Sequence, residues 1–333
     1  MFWQIISKIF TVTFFQKAVT QGIPLLYGAT GEILTERAGN LNLGIPGIMY
    51  MGGIGGLTGA FLYEKAASEP IGWIGVIIAF LSAIILAMLG AFIYSFLTVT
   101  LRANQNVSGL ALTTFGVGLG NFIGGSLAKI GGSGSQVTVY VTGQAFRKTI
   151  PVLENIPVVG PLLFSYGFLT YVGIALAIYF SWLISKTRIG LNLRAVGESP
   201  STADTAGVNV TRYKYVFTIL GGAISGIGGL YFVMEYLGGT WQNNGFGDRG
   251  WLAIALVIFA VWKPDLGILG SFLFGGLMVV HNYIPNLSFG AQELFMMTPY
   301  VVTIIVLVAV SMRRKRENLP PASLGLSYFR EDR

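Results

Sequence analysis

The sequence contains no cysteine and a single histidine, His281. Thiolate nucleophiles, disulfides and cysteine-ligated metals are thereby excluded. Charge is almost as scarce: Asp, Glu, Lys and Arg make up 11% of the 333 residues, where a soluble domain carries about a quarter. No G-x-x-x-x-G-K-[ST] phosphate loop occurs, so the chain does not bind ATP in the usual way. Nor do a nucleophile, a base and an orienting group recur at a spacing that would make an enzyme. A basic leader with a cleavage site is also lacking: "MFWQIISKIFTVTFFQKAV" leads directly into an apolar helix.

What is present is apolar, at 53% of the chain, in long unbroken runs such as "IGWIGVIIAFLSAIILAMLGAFIYSFLTVTL" from Ile71. A helix needs about 20 such residues to cross a hydrocarbon core. Hydropathy gives spans near 11–34, 41–63, 72–100, 106–128, 163–184, 213–237, 250–262, 266–283 and 292–312. The expected fold is therefore all-α, a polytopic transmembrane helix bundle of about nine spans, with eight to ten allowed. The run "WLAIALVIFAVWK" at 250–262 is short for a crossing and reads as tilted, broken or re-entrant. The 46 glycines favour close helix packing, as at Gly52 with Gly56, Gly116 with Gly120 and Gly222 with Gly226. Those pairs serve either internal packing or subunit contacts.

The net charge of +7 sits between the spans and sets orientation, so nucleic acid is not an expected partner. Placing the loop 186–212 and the tail 313–333 in the cytoplasm puts 14 of the 21 Lys and Arg residues inside and leaves the N-terminus outside. The transmembrane domain is 1–312. The outside segment Lys129 to Pro161 carries "VTVYV" and suggests a short extended element within a turn-rich cap.

Within the cytoplasmic loop, "ESPSTADTAG" reads as one short helix. Ser199 caps it, Pro200 takes its first position, Asp204 lies in its early turns and Gly207 ends it in a left-handed conformation. The flanking Arg188, Arg194, Arg212 and Lys214 are placed at the lipid headgroups. Such a capped helix is either a docking surface or a surface helix without a partner.

Polar residues inside spans usually face the bundle interior or an aqueous path. Asn40 and Asn42 open the second span, while Asn104, Gln105, Asn106 and Ser108 open the fourth. Asn121 and Glu235 lie deeper. The substrate-pathway candidates are thus Asn40, Asn42, Asn104, Gln105, Ser108, Asn121 and Glu235, each read as an interhelical hydrogen-bonding group or a substrate contact. Glu32 and Glu36 share a helix face beside Arg37 and suggest internal ion pairing. His281 is read as satisfied by a neighbouring helix rather than as a proton relay.

Three segments in order, "GEILTERAGNLNLGIPGIMYMGG" from Gly31, "LRANQNVSGLALTTFGVGL" from Leu101 and "TRIGLNLRAVGESPSTADTAGVNV" from Thr187, resemble permease subunits of bacterial ABC importers. The resemblance is to the branched-chain amino-acid, ribose and nucleoside permease superfamily, in its nucleoside or simple-sugar branch, and covers roughly Pro24 to Met312. One departure is Pro46, where the family usually has Glu. The resemblance implies a non-catalytic, multi-pass subunit of the bacterial cytoplasmic (inner) membrane, in contact with membrane lipid. Its implied partners are a second, unlike permease, a cytoplasmic ABC ATPase and a substrate-binding lipoprotein or periplasmic protein. No cofactor or metal is expected on this chain; ATP and Mg belong to the ATPase. Its implied coupling residues are Arg194, Gly197, Ser199, Pro200, Asp204 and Gly207. The implied substrate is a nucleoside, with a simple sugar or riboflavin as alternatives; an ion-coupled secondary transporter is the alternative class.

Overall fold

The computed structural model describes residues 11–132, 136–149, 156–157, 159–285, 288–313 and 319–329. The basic run "RRKREN" beyond Arg313 and parts of the Lys129–Pro161 cap lie outside the described residues. The elements are α1 (Val12–Arg37), α2 (Ile45–Ala66), α3 (Gly72–Ser95), α4 (Gln105–Ile130), β1 (Val137–Thr138), α5 (Tyr140–Phe146), α6 (Val159–Leu163) and α7 (Phe168–Lys186). Then follow α8 (Arg188–Glu198), α9 (Pro200–Thr205), α10 (Val210–Tyr231), β2 (Thr240–Trp241), α11 (Arg249–Phe259), α12 (Pro264–Val279), α13 (Phe289–Met296) and α14 (Thr298–Arg313). A π turn, Phe96–Thr100, extends α3, and a second, Phe232–Tyr236, extends α10.

Among the described residues, seven helical segments are long and apolar enough to cross a membrane: 45–66, 72–100, 105–130, 168–186, 210–236, 264–283 and 289–309. The protein is a multi-pass helical membrane protein. The expectation of about nine spans is met by seven on length and hydropathy. Of the other two, α1 is long enough at 26 residues but carries Lys17, Glu32, Glu36 and Arg37, and α11 is only 11 residues long.

Burial divides the helices into layers. α2 and α10 are 83% buried over their most apolar stretch, whereas α3 is 28% and 289–309 only 6% buried. α1 is buried without a break from Gly22 to Glu36. The core is thus α1, α2 and α10, with the most hydrophobic helix, α3, on the outside. That inversion of the soluble pattern is expected where lipid is the solvent, because an exposed Ile77, Leu81 or Ile85 then costs nothing.

Glycine permits the core contacts. A β-carbon on Gly52 would overlap the backbone of Gly226, and one on Gly31 would overlap the Gly221 carbonyl. Gly116 meets the Gly47 backbone, while Gly56, Gly120 and Gly222 face Leu230, Tyr50 and Ala91. The glycine pairs therefore serve internal packing rather than subunit contacts.

The segment after α4 is only partly extended. Val137 pairs with Trp241 and Thr138 with Thr240, antiparallel, and Val139 N–H adds a bond to the Gly239 carbonyl. From Tyr140 the "VTVYV" run turns helical. Glu64 of α2 accepts from the Thr142 N–H at 2.7 Å, and supplying an acceptor to the first turn outweighs the β preference of Tyr and Val.

The glycine contacts are testable. Gly52→Val forces a branched side chain into the Gly226 backbone, and overpacking of this kind costs about 1–3 kcal/mol. At Gly118, by contrast, a β-carbon would meet nothing within 4 Å. Gly52→Val is expected to lower the unfolding temperature of the detergent-solubilised chain by several degrees, while Gly118→Ala leaves it unchanged or raises it.

Candidate functional site

The loop between α7 and α10 folds as two helices. Thr187 begins α8 by accepting from the Gly190 N–H at 3.1 Å, while its own hydroxyl donates to the Leu183 carbonyl. The apolar residues of "RIGLNLRAVGE" fall at helical period: Leu193 and Val196 turn inward, Arg194 and Glu198 outward. Sequence reasoning places this stretch as a flank at the headgroups and misses it as a helix, though that period is the signal. Ser199 then caps α9, accepting from the Thr202 N–H; Pro200 takes the first position and Gly207 has φ +84°. Asp204 departs from expectation: in a helix ending at Thr205 it lies in the last turn. Ala203 packs with Val196 and Val210, which ties α9 to both neighbours.

A second feature goes beyond the sequence expectation altogether. Residues 319–329, part of what reads as a simple tail, fold back over this element. The Ser323 N–H and hydroxyl both donate to the Gly197 carbonyl, at 3.0 and 2.6 Å. Tyr328 Oη donates to Asp204 Oδ2 at 2.9 Å, and the Arg102 guanidinium lies 4.5 Å from the Phe329 ring centre. Gly197 is wedged between the Arg37 carbonyl and Pro321, where no side chain fits. The signal is the apolar "LPPASLGLSYF" after a charged run.

The two asparagine clusters meet, but inside the protein. Gln105 Oε1 accepts from the Leu41 N–H at 2.6 Å, joining the start of α4 to the turn before α2. Asn42 is fully buried; its N–H donates to Glu32 Oε1 and its Oδ1 accepts from the Gly44 N–H. Asn40 Nδ2 donates to Thr218 Oγ1 on α10. Ser108 is buried on α4, while Asn104 is exposed and caps that helix through the Val107 N–H. Asn121 is not deep in the bundle: its amide pairs twice with Asn244 and holds the loop before α11. Glu235, turned by the π segment, accepts from the Leu169 N–H at 2.9 Å and caps α7. The ion pairing expected around Glu32 and Glu36 is replaced by neutral donors. Glu36 accepts from Trp262 Nε1, and Arg37 donates to the Trp262 carbonyl at 3.1 Å.

That carbonyl follows a strained turn. Val261 and Trp262 both have positive φ, 53° and 54°, rare for any non-glycine residue and most of all for a β-branched one. The turn ends α11 early and returns the chain through Pro264 into α12. Away from it, at the other end of α11, a cavity of about 500 Å³ is lined by Gln21, Tyr236, Arg249, His281, Glu293 and Tyr300 among others. Arg249 reaches across it, donating to Gln21 Oε1 at 2.9 Å and lying 4.6 Å from the Phe232 ring centre. His281 is not satisfied by a neighbouring helix: it sits in a 3-10 turn and its Nδ1 has no partner among the described residues. Nor is any group of three or more His, Asp or Glu among the described residues placed to hold a metal.

A multi-pass bundle without a catalytic constellation, carrying a capped helix pair at one end and a polar cavity at the other, has the form of a transport subunit. The family model for the permease component of branched-chain amino acid transport systems matches residues 14–307. The chain belongs to this family and is a non-catalytic permease subunit. It is 33% identical to the nucleoside ABC transporter permease protein NupC of Lactococcus lactis, over 92% of this chain and 93% of that protein. It is 29% identical to the guanosine ABC transporter permease protein NupQ of Bacillus subtilis, over 93% and 94%. It is 31% identical to the putative glucose ABC transporter permease protein TsgC13 of Haloferax volcanii, over 92% of this chain and 94% of that protein.

Removing residues 319–333 deletes the two Ser323 bonds and the Tyr328 bond, each contributing about 1 kcal/mol. Amides of α8 and α9 are expected to exchange hydrogen at least about tenfold faster in the truncated chain, with those of α2 unchanged. Hydrogen-exchange mass spectrometry on the two detergent-solubilised chains measures both.

Proposed function

We propose that this chain is the membrane permease of an ATP-driven nucleoside importer in a bacterial cytoplasmic membrane. The observation that carries this reading is the α8–α9 pair, a rigid capped element joined to a core helix at the basic end of the molecule. A cytoplasmic ATPase docks there, with Arg194, Gly197, Ser199, Pro200, Asp204 and Gly207 forming or framing the contact. Exposed Ser201, Thr202 and Thr205 face outward for it. The nucleoside reading rests on relatives whose names specify a nucleoside; a sugar is the second reading, on the putative glucose relative.

Nine passes, with the N-terminus outside, fit the placement of the ends. Arg37 at the end of α1 meets Trp262 after α11, while Gln21 nearer the start of α1 meets Arg249 at the start of α11. α11 therefore runs beside most of α1 despite its 11 residues, its crossing completed by the loops at either end. A second permease completes the pathway, and an extracytoplasmic binding protein delivers substrate to the Arg249 cavity. That cavity replaces the asparagine clusters as the best pathway border. It offers tyrosine rings and open hydrogen-bonding groups, whereas Asn42 is enclosed and Asn104 is a helix cap.

Two experiments test the reading. Ala203→Pro removes the bond from the 203 N–H to the Ser199 carbonyl and breaks α9; membrane insertion is expected to persist while ATPase association and nucleoside uptake fall at least about tenfold. In vesicles, uptake is expected to need the ATPase and ATP; accumulation by this permease alone on a proton or sodium gradient would establish a secondary transporter instead. The lack of native cysteine allows a further check. Tyr300→Cys is expected to label with an impermeant thiol reagent added outside, and Asn42→Cys to stay unlabelled without ATP.

A further inference from the structure

A cavity of about 600 Å³ lies at the opposite end from Arg249 and borders the docking element through Asp204 and Gly207. Its walls come from the π turn after α3, the loop from α9 into α10, the first turn of α10 and the folded-back tail. Three cations line it. Arg102 and Arg212 are exposed at its rim; Lys214 is 3% exposed. The sequence expectation puts Lys214 among lipid headgroups, but it is a core residue. Its stem is buried, and no hydrogen bond or ion pair holds its ammonium among the described residues, so the charge is left to what solvent or a ligand supplies.

The backbone adds to the same polarity. The first-turn N–H groups of Val210 and Thr211 open a 22-residue helix and have no acceptor among the described residues. Asn209 satisfies only the Arg212 N–H, at 2.9 Å. One carboxylate faces the cavity, Asp204, and its Oδ2 is occupied by Tyr328. The charge is therefore two positive in excess beside a helix N-terminus, a combination suited to a multiply charged oxyanion.

We propose that this cavity binds a phosphate group, with Lys214 beneath it, Arg102 and Arg212 at its rim and the α10 N-terminus alongside. The group comes from an anionic phospholipid headgroup or from a free phosphate. Both sources reach the site: the cavity adjoins the end of α3, whose exposed Phe92, Ile93 and Phe96 face outward, and it is open to solvent at Arg212. A bound phosphate would join α3, α9, α10 and the tail at one point.

The test is thermal unfolding of the full chain in a neutral detergent, with inorganic phosphate or phosphatidylglycerol added, and phosphatidylcholine as the control lipid. At least one of the two anionic ligands is expected to raise the midpoint by several degrees. A rise with inorganic phosphate assigns the soluble source; a rise with phosphatidylglycerol alone assigns the lipid. Lys214→Met removes the unpaired charge, so its ligand-free midpoint is expected to equal or exceed that of the parent, and the ligand-induced rise is expected to vanish. Arg212→Gln, a rim change that spares the core, is expected to weaken the apparent affinity about tenfold and serves as the reading if Lys214→Met does not fold. No rise with either ligand, or an equal rise in both variants, overturns the proposal. So does a loss of ATPase association in Lys214→Met without any ligand effect, which would make the cavity a protein contact.

Discussion

Where α1, α2 and α10 cross, backbone meets backbone. Gly31 lies against Gly221 and Gly52 against Gly226, and no side chain separates the helices at either point. In lipid, apolar side chains gain little by leaving one hydrocarbon surroundings for another, so association depends on close approach and on interhelical hydrogen bonds. The glycines supply the first. The second accompanies it where Asn40, just after α1, donates to Thr218 on α10.

The same constraint explains why most of the polar clusters are enclosed. A polar group deep in a bundle needs partners, and close packing supplies many locally, Gln105 with the Leu41 N–H and Glu235 with the end of α7, while Asn40 Oδ1, Asn42 Nδ2 and Glu32 Oε2 have none among the described residues. A pathway needs polar groups that packing leaves open. His281 Nδ1 fits that description, as does Lys214, and both lie where helices end rather than where they cross.

This difference also sets what can be read from sequence. Each apolar run forms a helix, because length and hydropathy suffice to specify a span. The Ser199–Pro200 start and Gly207 stop of α9 are legible because capping is local chemistry. Asn121 is misplaced by sequence because its partner, Asn244, comes from chain more than 100 residues away, and Asp204 because nothing local announces that α9 stops at Thr205. The turn at Val261–Trp262 is the least visible, since nothing in "AVWKP" announces positive φ at a β-branched residue. It is held by Glu36 and Arg37, which sequence spacing assigns to each other.

α10 links the two ends. It contributes Lys214 to the cavity beside α9 and, through its π turn, Tyr236 to the cavity beside α11, about 33 Å apart at 1.5 Å per residue. Between those positions it is fixed to α1 and α2 by the glycine contacts, so it cannot bend there without separating backbones that already touch. A displacement imposed at Val210 through Ala203 must therefore be carried by the helix as a body or absorbed at its ends. The ends are where the irregular backbone lies, the π turn at Phe232–Tyr236 on one side and the Asn209 cap on the other. A rigid middle with adaptable ends passes motion between two faces of a membrane without opening the core, and the glycines that bring the helices together are what keep that middle rigid.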